Sequence, residues 1–134
     1  MEAIARYGLE DRVVLTGSIE EEEKNYFYHH CSAFVFPSLY EGFGLPVIEA
    51  MLCGKPVFSS RCTSLPEIGG NMAFYWDNFD AEHMAHVFAN GMHIYNSDEK
   101  AFSEALKEYA SMFSWKQNAG TYLNLYESLA HGNK

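Results

Sequence analysis

The chain has 134 residues, 48% of them hydrophobic and 16% aromatic, with a formal net charge of -9. That supplies one buried core and one domain, 1–134, while the acidic balance repels nucleic acid and anionic lipid. No apolar run is long enough to cross a bilayer or to serve as a secretory signal, so the expected location is cytoplasmic, and Cys31, Cys53 and Cys62 read as packed, reduced thiols rather than a disulfide framework or zinc site.

In chain order, residues up to Glu10 read as the end of a helix, with Gly8 as its stop. Arg12-Val13-Val14-Leu15-Thr16 is rich in β-branched residues and predicts a short strand ended by Gly17. Ser18 and Glu21 have the spacing of a capping box, so the next helix is expected to begin there, with Glu20 to Glu23 favoured in its first turn by the helix dipole. Tyr26, Phe27, His30 and Cys31 are expected to form its buried face. Ala33-Phe34-Val35-Phe36 predicts a buried strand, Pro46 the first turn of a helix, Lys55-Pro56-Val57-Phe58-Ser59 a strand, Ser64-Leu65-Pro66-Glu67 a short helix and Ala73-Phe74-Tyr75-Trp76 the last strand. Asp80 caps a helix running to about Tyr95 in spite of Gly91. Ala101, Phe102, Ala105, Leu106, Tyr109, Met112 and Phe113 recur at helical spacing, and Ser114 with Gln117 opens a final helix marked by Trp115, Ala119, Tyr122, Leu123, Tyr126 and Leu129. Strands alternating with helices over brief connections imply a parallel, doubly wound sheet.

The stretch from Glu41 to Ala50, EGFGLPVIEA, is the chemical centre of the sequence. It is a glycine-bearing loop that passes from a strand into a helix N-terminus, where free backbone N–H groups attract phosphate and glycine lets a ligand approach the main chain. Glu41 lies in the loop and Glu49 about one turn inside the helix, so both can face one crevice. One carboxylate can hold the vicinal hydroxyls of a ribose while the other reaches a sugar beyond the phosphates.

This stretch, with Pro37-Ser38-Leu39-Tyr40 ahead of it, Met51 and Cys53-Gly54-Lys55-Pro56-Val57 behind it, then Ser64-Leu65-Pro66-Glu67-Ile68 and Phe113-Ser114-Trp115, resembles the retaining glycosyltransferases of the GT-B fold. The likeness is strongest to the family 4 group, whose C-terminal donor-binding domain carries two glutamates separated by seven residues. The resemblance implies an α/β fold, the second half of a Rossmann-like GT-B donor domain, and transfer of a sugar from a nucleotide-sugar donor with retention. It implies that Glu41 is catalytic, positioning the donor sugar and facing its developing positive charge, and that Glu49 holds the ribose. Backbone groups of Gly42, Phe43, Gly44 and Leu45 would contact the diphosphate or sugar, and the backbone of Ile19 the base. No metal or other cofactor is implied. The family's acceptor domain, and the half of the donor domain that carries its diphosphate-binding cations, would precede Met1; Lys55 and Arg61 do not match those cations. A separately encoded N-terminal half, or self-association through a cut sheet edge or the final helix, is therefore expected. The alternative is a non-catalytic nucleotide-sugar-binding or partner subunit of a split or truncated enzyme.

Other constellations have plainer readings. His83 and His86 lie one turn apart but lack further ligands for a metal. Asp77-Asn78-Phe79-Asp80 is expected to end in a helix cap, Glu67 to serve the dipole of its short helix, and His29-His30 to pack. Ser38, Ser59, Ser60 and Ser64 lack the elbow motif of a serine nucleophile.

Overall fold

Residues 2–131 are described by the computed structural model; Met1 and residues 132–134 of the expected domain lie outside them. In chain order the helices α1 (Glu2–Arg6) and α2 (Glu21–His30) precede β1 (Phe34–Phe36), α3 (Leu45–Leu52), β2 (Val57–Ser60), α4 (Leu65–Gly69), a 3-10 turn at Gly70–Met72, and β3 (Phe74–Trp76). Three helices follow, α5 (Ala81–Ser97), α6 (Glu99–Ser111) and α7 (Trp115–His131). The strands form one parallel sheet in the order β1-β2-β3, with Phe34 opposite Val57 and Phe58 opposite Phe74. Parallel neighbours need crossovers, and α3 and α4 supply them, as the alternating pattern predicts.

All of β2 is buried, and its two faces meet different helices. Val57 joins a cluster with Val47, Ile48, Ala50 and Met51 of α3 and Leu106 and Ala110 of α6. Phe58, on the opposite face by the two-residue period of a strand, stacks with Phe74 at 5.1 Å and meets Phe88 of α5 at 4.6 Å. A central strand covered on both sides is the doubly wound arrangement in miniature. Asp80 caps α5 through Oδ1, which accepts the His83 N–H at 2.9 Å, and Asp98 caps α6 by accepting from Ala101 at 3.1 Å.

Three expectations about the first third of the chain are corrected. Arg12–Thr16 is not a strand: it pairs with no strand among the described residues, and Val14 and Leu15 are 83% and 63% exposed. A β-rich run with no neighbour to share its hydrogen bonds gains nothing from extension, because β propensity acts through packing. The start of α2 is shifted two residues along, from the expected Ser18 and Glu21 to Glu20 and Glu23, where the Glu20 N–H donates to Glu23 Oε2 at 2.9 Å. The run of glutamates offers the reciprocal cap in more than one register. The inward face of α2 carries Tyr28, 7% exposed, whereas Tyr26, Phe27 and His30 face outward, and Cys31 is half-buried. The rings of Tyr26 and His30 stack on one another at 4.0 Å instead of entering the core.

At Gly91, α5 lies close against the sheet. A Cβ there would lie 2.5 Å from Cε1 of the buried Phe58 and 2.8 Å from Cγ of the half-buried Phe74, rings already stacked on one another. Helix propensity favours alanine over glycine by up to about 1 kcal/mol, but forcing a methyl into a filled core costs about 1 to 3 kcal/mol. Gly91→Ala is therefore expected to lower the thermal unfolding midpoint, whereas Gly120→Ala, with open space around its Cβ position, raises it or leaves it unchanged. A higher midpoint for Gly91→Ala would show that α5 is not seated on the Phe58 ring.

Candidate functional site

The loops that leave the C-terminal ends of β1 and β2 lie side by side, the place where open parallel sheets hold ligands. They are cross-braced by small hydroxyl side chains. The Ser60 hydroxyl donates to the Ser38 carbonyl, and that of Ser64 donates to the Phe43 carbonyl at 2.8 Å and the Glu41 carbonyl at 3.3 Å. The Glu41 N–H in turn donates to Thr63 Oγ1 at 3.1 Å. Thr63 has φ +50°, an unfavourable value for a β-branched residue, so the second loop holds strain where it grips the first. Nothing in the sequence pattern flagged Thr63.

The loop then turns into α3 through Gly44, which has φ +109°, with Pro46 in the first turn of the helix. Among the described residues, the backbone N–H groups of Gly42, Phe43, Gly44 and Leu45 meet no acceptor. Such unpaired donors at a helix start attract anions.

The two glutamates are held differently. Glu41 Oε1 accepts the Ser38 hydroxyl at 2.8 Å, which folds that side chain back onto its own loop. Glu49 is reached from α2: Oε1 accepts from Lys24 Nζ at 3.2 Å and Oε2 from the Tyr28 hydroxyl at 3.0 Å. Burial, and then the hydrogen bond to this carboxylate, raise the Tyr28 pKa well above the usual tyrosine value, so the hydroxyl stays a donor throughout the neutral range. Lys24 also pairs with Glu21 at 2.8 Å, and its pKa is raised first by Glu21 and next by Glu49. Lys24 and Tyr28 escaped the sequence reading, although their spacing of four puts them on one face of α2.

A half-open cleft of about 500 Å³ lies beside Glu49. Phe43, Leu45, Ile48 and Leu52 line one wall, and Phe113, Trp115, Asn118 and Tyr122 the other. Of the residues expected from sequence, Phe43, Leu45 and Glu49 meet in this cleft, while Glu41, Gly42 and Gly44 are not in its lining. Ile19 lies in a neighbouring groove with Lys24, Tyr28 and Phe34, so the Lys24–Tyr28–Glu49 cluster forms the boundary between the two hollows. No cluster of three His, Cys, Asp or Glu side chains suited to a metal occurs among the described residues, and no helix among them is long and apolar enough to cross a membrane.

The family description "Glycosyl transferases group 1" matches residues 2–119. Among known proteins, the chain is similar to an O-antigen chain mannosyltransferase B of Escherichia coli, 36% identical over 113 residues that cover 84% of this chain and 29% of that protein. It is also similar to an MMP alpha-(1->4)-mannosyltransferase of Mycolicibacterium hassiacum, 28% identical over 92% of this chain and 31% of the relative. Among solved structures, a sucrose-phosphate synthase from Thermosynechococcus elongatus superposes with a TM-score of 0.76 at 28% identity, covering 98% of this chain and 34% of that one. The chain thus spans about a third or less of the length of these relatives.

Gly44 is the point at which the loop depends on its residue type. A Cβ there would lie 3.1 Å from Leu65 Cδ2, and the positive φ penalises any L side chain. Gly44→Ala is expected to cost at least ~1 kcal/mol, because alanine is strained where φ is positive. Urea denaturation checks this: the midpoint should fall with an unchanged slope, and an unchanged midpoint would mean that the turn rebuilds around the methyl.

Proposed function

The chain belongs to the glycosyl transferases group 1 family and has its GT-B, Rossmann-like fold, and from that premise we propose that it supplies part of the donor site of a retaining, family 4 type glycosyltransferase. The observation that carries the reading is the run of unpaired N–H groups from Gly42 to Leu45 leading directly to Glu49. In this scheme those donors stabilise charge building on the departing diphosphate, the kind of preorganised contact that lowers a barrier most. Glu49 accepts from the ribose hydroxyls. Glu41 turns from Ser38 toward the donor sugar and faces its oxocarbenium-like charge, and the Ile19 backbone meets the base at the end of its groove. Binding and chemistry proceed without a metal. The mannosyltransferases among its relatives favour a mannosyl group as the one transferred.

The acidic chain, -9 overall, offers the diphosphate few cations of its own. We assign the remaining contacts and the acceptor site to further polypeptide, either an N-terminal half or a second copy, seated on the edge strand β1 or on the exposed aromatic face of α7, where Trp115 and Tyr126 are 80% and 62% open. The working location is the cytoplasm, where nucleotide sugars are made. A thermal-shift panel of UDP, GDP and ADP sugars tests the reading directly: a rise with one donor supports it, and no response to any would overturn it for this chain. Donor hydrolysis with and without added N-terminal polypeptide separates an enzyme from a binding subunit.

Charged hydrogen bonds contribute about 1.5 to 3 kcal/mol, so Glu49→Gln is expected to weaken nucleotide binding about tenfold or more with the fold intact. Calorimetry giving equal affinities would remove Glu49 from the site. By contrast, Glu41→Ala should bind the bare nucleoside diphosphate as the parent does and lose its preference for the sugar-bearing form. Loss of the diphosphate itself would show that the two carboxylates do not divide the donor in this way.

A further inference from the structure

Both Glu49 oxygens are met by α2, and by different residues. Tyr28 donates to one and Lys24 to the other, and neither bridges both. An ionised carboxylate has about four acceptor positions, so each oxygen keeps capacity for one more donor, which is what two adjacent hydroxyls require. The Tyr28 ring is 7% exposed and packed edge-on against Phe34 at 5.4 Å and 67°, so its hydroxyl is placed by the core and cannot follow a moving partner. Lys24 is tied back by Glu21 as well, which keeps its head group beside Glu49. A glutamate pinned at both oxygens has already lost the rotamer freedom that an unpinned one would lose on binding. The Lys24 cation also offsets the repulsion between Glu49 and an incoming diphosphate, which matters in a chain of net charge -9.

We infer that Tyr28 and Lys24 are positioning residues for Glu49, holding its carboxylate plane so that one free acceptor position on each oxygen faces a vicinal diol. This rests on the donor-site reading of Glu49 given above. Tyr28 acts from the core side through Glu49, with its ring also forming part of the Ile19 groove; its role at the diol site is to set the direction of Oε2. Lys24 sets Oε1 and lies on the boundary with the Ile19 groove, so it couples the diol site to whatever occupies that groove.

The test compares calorimetric affinities for whichever of UDP, GDP or ADP binds most tightly, for its 2′-deoxy and 3′-deoxy analogues, and for inorganic pyrophosphate. The proteins are the parent, Glu49→Gln, Tyr28→Phe, Lys24→Met and the Tyr28→Phe/Glu49→Gln pair. Tyr28→Phe should keep the parent's pyrophosphate affinity and remain fully folded at the assay temperature, with at most a modest fall in unfolding midpoint from the lost hydrogen bond. Tyr28→Phe should narrow the preference for ribose over deoxyribose by several-fold, up to about tenfold, since one oxygen of a charged acceptor loses its anchor. Lys24→Met should narrow it as well. Once Glu49 is glutamine, replacing Tyr28 should change the preference no further, the signature of two groups acting as one unit. Should Glu49→Gln erase the ribose preference while Tyr28→Phe and Lys24→Met leave it at the parent value, the positioning role is overturned and the donor-site reading stands. If Glu49→Gln itself leaves the preference unaltered, the donor-site reading falls, and this inference with it.

Discussion

The structure depends on satisfying polar groups at the end of a strand that is buried on both faces. Ser59 and Ser60 are each 1% exposed, and a hydroxyl enclosed without a partner costs more than a bond contributes. Their hydroxyls find the carbonyls of Phe36, the last residue of the neighbouring strand, and of Ser38, two residues beyond it. That requirement fixes where β1 ends and where its loop begins. Glu41 and the four unpaired N–H groups follow from it, because the loop has few residues left before Pro46 turns the chain into α3. The placement of the site is thus a by-product of a core requirement, and the braces from Thr63 and Ser64 repeat it one loop further on.

Electrostatics set a second condition. An acidic chain that receives an anion must gather donors locally, since the long-range field opposes it. Here the backbone supplies them, and backbone donors carry no net charge that would itself need a partner. The Glu49 carboxylate, in the helix that follows them, is tied to Lys24 and Tyr28, so its charge is compensated from the α2 side.

The fold was legible in the sequence wherever burial and local chemistry agreed. The strands at Phe34, Val57 and Phe74, the Pro46 helix start and the Asp80 cap each have a cause within a few residues. Arg12–Thr16 and the face of α2 were misjudged for the same reason: a run of Val and Leu, or a pair of aromatics, states a preference for burial but not which surface is there to bury it. For the site, EGFGLPVIEA displayed its glycines and glutamates openly, whereas the grip on Glu49 did not show. Tyr28 and Lys24 are more than twenty positions away, and their role exists only once α2 has been laid against α3.

The two walls of the cleft are not anchored alike. One is α3, whose Val47, Ala50 and Met51 are enclosed; the other is largely α7, which from Thr121 to Ala130 is exposed throughout. Tyr122 stands seven residues beyond Trp115, roughly 10 Å along the axis at the usual helical rise, so α7 is a lever whose fulcrum is the junction at residues 112–114. A tilt too small to disturb any buried contact of the sheet would widen or narrow the hollow at its far end. The width of the cleft therefore belongs as much to whatever touches the outer face of α7 as to the domain that contains Glu49.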